Sequence, residues 1–277
     1  MHIGVSLPVR ELRDDLVAIR EFAQLAEELG FTHLRIPDQI ARPDSGYLHE
    51  PLTLLSYMAG CTSTIGLVPS VIVLPTRQTV LVAKQTAEID ILSSGRLRLG
   101  VGVGGSRREY ESLGADFSSR GRRCSEQMQL LKCLWTEEVV NFEGEFDRVR
   151  GNGINPLPVQ RPIPMWIGAA SVPSEPVRKR IGEYADGWFA LCPPEKYAEI
   201  KADIDGYAEK VGRSPSEIGS ESGVGIHGRT EAEWLGLVST REALEVTHLC
   251  MRTLGGALDA KGHLDALRLI RQRLDDR

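Results

Sequence analysis

Short apolar runs alternate with longer amphipathic stretches along most of the chain. Residues 3–7 (Ile-Gly-Val-Ser-Leu) form an apolar run closed by Pro8, and Leu12, Leu16, Ile19, Ala23, Ala26 and Leu29 then recur at three- and four-residue intervals up to Gly30. That pattern predicts a strand, an amphipathic helix over 12–29 and a glycine stop. Residues 33–36 read as a second strand ended by Pro37-Asp38. Pro51 opens a helix through 59, and the β-branched run 65–74 reads as one strand ending at Pro75. A helix over 78–91, a strand over 96–103 and a helix over 119–135 follow. The Gly- and Pro-rich stretch 136–164 reads as an irregular insertion, with Val139, Val140, Phe142 and Phe146 available to pack it on the remainder. Strands are expected at 165–168, 187–191, 218–227 and 247–254, with helices at 174–185, 194–210, 230–245 and 259–274.

Strands joined by helical crossovers run parallel with right-handed connections. Eight strands alternating with eight helices, with no polar linker near the middle, predict a single α/β domain over 1–277, a (β/α)8 TIM barrel with an insertion after the fourth βα unit. The length, 277 residues, is that of one large single-core domain. Its 42% hydrophobic and 26% charged composition excludes disordered, collagen-like and coiled-coil classes. A net charge of −5 without a Lys/Arg block excludes nucleic acid as an expected partner. Neither a membrane-spanning apolar run nor a signal-like N-terminus is visible, so no membrane association and a cytoplasmic location are expected. Cys61, Cys124, Cys133, Cys192 and Cys250 are scattered without metal-type spacing and read as reduced core residues; no metal is expected.

Active sites of such barrels lie at the C-terminal ends of the strands. Asp38 is the one acid on those tips, with Glu50, Glu109 and Glu111 in following segments, so the paired carboxylates or metal cluster of a barrel hydrolase are missing. The tips carry small residues instead: Gly102, Gly104 and Gly105 after the fourth strand, Gly168-Ala169-Ala170-Ser171 after the fifth, and Ser174 at a helix start. Small residues admit a flat ring or a phosphate to the backbone, and a helix N-terminus favours an anion. The Gly100–Gly104 string lies inside a strand and lacks the context of a dinucleotide fingerprint.

Further stretches carry a resemblance: Ile36-Pro37-Asp38, the run from Ile65 to Pro75, the run from Ala83 to Gly102, Leu134-Trp135, Phe142-Glu143-Gly144 and Ala185-Asp186-Gly187-Trp188. On these the chain resembles the bacterial-luciferase-like oxidoreductases, and within them the branch using the deazaflavin coenzyme F420. The resemblance implies a ring lying against a bulge after the third strand, with a non-proline cis peptide at Ser70-Val71. Asp38 would then meet the ring's polar edge. Val103, Gly104 and Gly105 would line its other side, and Gly168, Ala169, Ala170, Ser171 and Ser174 would hold the phosphate. FMN-using relatives often have an arginine where this chain has Val103, which favours F420 over FMN. Arg107, Arg108, Arg122, Arg123, Arg178, Lys179 and Arg180 are candidates for its acidic tail or for an ordinary solvated face.

Many relatives have Asp-His after the second strand, whereas here the pair is Asp38-Gln39. Gln39 can hydrogen-bond but cannot exchange a proton near neutral pH. Gly105 also replaces the glutamate of some sugar-phosphate-oxidising relatives. Gln39 and Glu109 are the catalytic candidates, with His49 or solvent as other proton sources. The expected activity is hydride transfer between F420 and a small organic substrate. The rivals are an FMN-dependent monooxygenase and a non-catalytic F420- or flavin-binding barrel. Relatives are often homodimers, and a homodimer is expected here.

Overall fold

The computed structural model describes residues 1–41, 46–169 and 171–277. Its strands are β1 (His2–Ser6), β2 (His33–Ile36), β3 (Gly66–Pro69), β4 (Ile72–Val73), β5 (Leu99–Gly102), β6 (Val140–Glu143), β7 (Arg148–Asn152), β8 (Met165–Gly168), β9 (Gly187–Phe189), β10 (Gly219–Gly225) and β11 (His248–Arg252). The helices are α1 (Val9–Leu12), α2 (Leu16–Glu28), α3 (Pro51–Cys61), α4 (Thr79–Leu92), α5 (Arg107–Ser112), α6 (Arg120–Thr136), α7 (Glu175–Tyr184), α8 (Pro194–Lys210), α9 (Glu231–Ala243) and α10 (Ala260–Asp275).

One parallel sheet runs in the order β3-β2-β1-β11-β10-β9-β8-β5-β4. Since β3 and β4 are two halves of one barrel position, and Leu67 bridges Leu97, the sheet curls into a nearly closed TIM-barrel-like ring. The register of β1 against β11, from His2 beside His248 to Ser6 beside Arg252, joins the two ends of the chain's strand series. The helices cover the outside, and the core between helices and sheet is apolar: Phe22, Ile36, Leu55, Leu67, Leu131 and Trp135 are all fully buried.

Three expectations needed correction. The first helix is two, because Arg13 takes a left-handed turn (φ 52°) and the Asp15 carboxylate caps α2 by accepting from Ala18 N at 2.9 Å. The run 65–74 is two strands rather than one, broken where the Ser70-Val71 peptide is cis, the bond that the family resemblance implied. The 136–164 insertion is not irregular throughout: β6 and β7 form an antiparallel hairpin. Its apolar positions Val140, Phe142 and Val149 alternate with polar ones, a period-two signal masked by the surrounding glycines and prolines. Glu126 of α6 fastens the hairpin turn, its carboxylate accepting from the amides of Glu145, Phe146 and Asp147 at 2.7–2.9 Å. Val140 is buried, as the packing role requires, whereas Val139 is exposed. All five cysteines are free, and Cys124, Cys192 and Cys250 are buried. No described helix is long and apolar enough to cross a membrane.

Candidate active site

The break between β3 and β4 turns the side chain of Val71 across the top of the barrel. A Cβ on Gly102 would lie 2.7 Å from Val71 Cγ2, and one on Gly168 would lie 2.6 Å from Val71 Cγ1. These two glycines are small because Val71 occupies the space above them, a different reason from the close approach of a ligand expected from sequence. Gly105 is the position left open, with nothing within 4 Å of where its Cβ would stand.

Above Val71 lies a cavity of about 500 Å³ at the C-terminal ends of β3, β5, β8 and β9. Val103, Gly104 and Gly105 form one side. Gly168, Ala169, Val172, Pro173 and Val177 form the side opposite, and Phe189 and Leu191 close a third. Polar atoms are few: Ser70 at the floor, Ser174 at the α7 end and the Arg35 guanidinium below. Ser174 stands at the N-cap of α7 and its hydroxyl makes no capping hydrogen bond, so it is available beside the positive end of a helix dipole. An apolar slot with a hydroxyl at its floor and an anion-favouring helix start at its rim suits a flat heteroaromatic ring carrying a phosphate. Among the described lining residues none is a carboxylate, histidine, cysteine or tyrosine; Arg35 is the one ionisable side chain.

Of the residues expected from sequence, Ser70, Val71, Val103, Gly104, Gly105, Gly168, Ala169 and Ser174 come together in this cavity. Ala170 lies outside the described residues, and Ser171 is exposed and not part of the lining. Asp38 is turned away from the cavity. Its Oδ2 accepts from Val73 N at 3.0 Å and from Arg77 Nη1 at 2.9 Å, and its side chain is fully buried. Burial pushes its carboxyl above the ordinary range, and Arg77 opposes that shift. Glu109 also faces elsewhere: its Oε1 accepts from Ile40 N at 2.9 Å and from Ala41 N at 3.3 Å, which clamps the loop after β2 onto α5. Gln39 is half-buried in that loop and does not line the cavity. His49 Nε2 is within 2.6 Å of Arg13 O, away from the site.

The cationic candidates divide as well. Arg180 is buried, donating to Ser125 Oγ at 2.8 Å and Gly121 O at 2.7 Å, while Arg178 pairs with Asp203 and Arg122 with Glu145. Arg107 and Arg108 stay exposed at the start of α5, two and three residues beyond the open Gly105.

Sequence reasoning missed the floor's support. Arg35 Nη1 donates to Glu221 Oε1 at 2.9 Å, Arg98 Nη2 donates to Glu221 Oε2 at 2.6 Å, and His33 Nε2 lies 3.2 Å from the same oxygen. Arg35 also donates to Ser70 Oγ. The aromatic faces of Phe189 and Trp166 cover Arg35 and Arg98 at 4.7 and 4.2 Å. Burial alone would raise the Glu221 carboxyl, but Arg35, His33 and Arg98 outweigh it and hold the group well below the usual range. Charges at alternate positions of β2, beside the fully buried Leu34 and Ile36, were the available signal for an ionic barrel interior.

Comparison with known proteins decides the family. The luciferase-like monooxygenase family model matches residues 1–234. The chain belongs to that family. An uncharacterized protein of Mycobacterium tuberculosis is 31% identical over 228 residues, covering 75% of this chain and 77% of the relative. An FMNH(2)-dependent dimethylsulfone monooxygenase of Pseudomonas putida is 29% identical over 210 residues, covering 70% and 55% of the two chains. An F420-dependent hydroxymycolic acid dehydrogenase of M. tuberculosis is 26% identical over 226 residues, covering 79% and 61%. Among solved structures, an F420-dependent secondary alcohol dehydrogenase in complex with an F420-acetone adduct shares the fold, with a TM-score of 0.82 at 14% identity over 99% of this chain and 98% of that one. Luciferase-like enzymes are flavin- or F420-dependent oxidoreductases, and named relatives of this chain include both kinds.

Proposed function

We propose that this luciferase-like protein is an F420-dependent oxidoreductase acting on a small organic substrate. The observation that carries the reading is the cavity itself: apolar walls, two hydroxyls and no described acid or base besides a guanidinium. Such a lining leaves the reactivity to a bound ring. When bound, a deazaflavin supplies hydride transfer at its C5 position. The residues' work is then to seat and orient: Val71 backs the ring, Ser70 donates to it from the floor, and Ser174 at the α7 start takes the phosphate. The apolar side chains of Val103, Val172 and Leu191 exclude water from the reacting face.

Two features favour F420 over FMN. Val103 is uncharged where FMN-using relatives often carry an arginine, and Arg107 and Arg108 are exposed beside the open Gly105, where an acidic tail would leave the slot. Direct titration of the purified protein with F420 and with FMN tests the reading. Micromolar binding of F420 with FMN at least about a hundredfold weaker is expected, and the reverse order overturns it.

A further inference from the structure

Below the cavity, among the described residues, the barrel interior holds two guanidinium groups, Arg35 and Arg98, against one carboxylate, Glu221, whose side chain is wholly buried. The other described groups facing this cluster do not cancel the excess positive charge. Burial lowers the His33 ring pKa despite its contact with Glu221, and burial holds the His248 ring at about 3; an imidazole is neutral or cationic, so neither offsets the guanidinium groups. Burial raises the Cys250 thiol on β11 to about 11, which keeps it protonated near Arg35. Arg252, exposed at the end of β11, adds a further cation.

The hydrogen-bond directions between this cluster and the cavity are fixed by chemistry. A guanidinium can only donate, so Ser70 Oγ accepts from Arg35. The hydroxyl's single proton is then free to donate, no described protein acceptor takes it, and Ser70 lines the cavity. Glu221 anchors Arg35 from behind, Arg35 polarises Ser70, and Ser70 presents a proton upward.

We propose that Arg35 and Ser70 form a donor relay, backed by the excess positive charge of the barrel interior, that stabilises negative charge on the heteroaromatic ring bound in the cavity. Arg35 is a positioning residue that acts through Ser70. The proposal rests on the ring-binding reading above, and it adds that the site selects the anionic form of the ring. A preorganised donor aimed at a developing charge in a water-poor site is the arrangement that stabilises anions most strongly.

Both candidate oxidised rings have an ionisation visible in their absorbance, so the holoprotein can be titrated with pH using whichever ring binds. The bound ring is expected to ionise at lower pH than the free one. Ser70→Ala and Arg35→Met are expected to move that ionisation back toward the free value, each changing the ionisation constant about tenfold. Glu221→Gln, which removes the negative partner, is expected to move it the opposite way, a sign that simple loosening of the site does not produce. Ser70→Ala removes one oxygen atom and keeps the measurement possible if the buried variants fold poorly. A wild-type ring that ionises as it does free, or an ionisation unchanged in Ser70→Ala and Arg35→Met, overturns the relay and leaves the ring-binding reading standing. Failure of the wild type to bind either ring overturns both.

Discussion

Val71 shows how one side chain gives two glycines their purpose. It projects from the break between β3 and β4 into space that would otherwise belong to the Cβ atoms of Gly102 and Gly168. Gly168→Ala would place a methyl 2.6 Å from Val71 Cγ1, and because the neighbour is a packed β-branched side chain, the conflict must displace the cavity floor. A destabilisation of about 1–3 kcal/mol is expected in urea unfolding, together with weaker ring binding. Gly105→Ala meets nothing within 4 Å and should leave the unfolding midpoint unchanged, while narrowing the cavity enough to alter ring affinity. Equal destabilisation by the two substitutions would contradict this assignment of space.

At the level of elements, the loop after β2 is fastened at two points, and both carboxylates that sequence offered for chemistry turn out to hold backbone. Asp38 ties this loop to β4 and Arg77, and Glu109 ties it to α5. The roles can be separated experimentally. A general acid or base contributes typically 10²–10⁴-fold to rate, so Glu109→Gln would cost that much if Glu109 moved a proton. A clamp needs only an acceptor oxygen, which glutamine retains. Steady-state kinetics of Glu109→Gln are therefore expected to stay within about threefold of wild type, an inference from the same loss of only the charge-assisted part of a hydrogen bond. Glu109→Ala, which strands two amides, should lower stability by about 1–3 kcal/mol. A hundredfold loss of kcat in Glu109→Gln would return the residue to catalysis.

Across the whole molecule, an ionic cluster inside a barrel makes stability depend on pH in a calculable direction. His33 and His248 are held below the ordinary histidine value of about 6.5 by burial, His248 at about 3. Between those values the unfolded chain binds more protons than the folded one, so stability is full above pH 6.5 and declines as the pH falls toward 3. Glu221, with its folded pKa depressed, adds a loss of the same sign once the pH drops below about 4.5, where the unfolded carboxyl begins to protonate. Melting temperature should therefore be flat between about pH 7 and 8 and fall below that range, the raised carboxyl of Asp38 offsetting only part of the decline. His248→Gln should flatten the part of that slope between pH 6.5 and 4. A melting temperature that rises on acidification would rule out a neutral imidazole pair in the barrel.

How much of this was legible beforehand follows from the range of the interactions. The succession of strands and helices, the stop at Gly30, the helix over 194–210 and the gathering of small residues at the tips of β5 and β8 are written in residues close together in sequence. Local periodicity and turn chemistry suffice to read them. The hairpin within 136–164 was missed because its two short strands carry a period-two pattern over only four or five residues each. Of the site's support, only the alternating His33 and Arg35 of β2 hinted at an ionic interior, and their partners could not be read. Arg35 and Glu221 are 186 positions apart, and their ion pair exists only because β2 and β10 both face the barrel axis when the sheet curls. Sequence alone determined the order of elements, the family resemblance and the set of small residues that leave room at the barrel mouth. Which acids became clamps, which glycines yield to Val71, and that a buried cation stands behind Ser70 were decided by closure of the barrel, since only closure brings inward-facing side chains from distant strands within hydrogen-bonding distance.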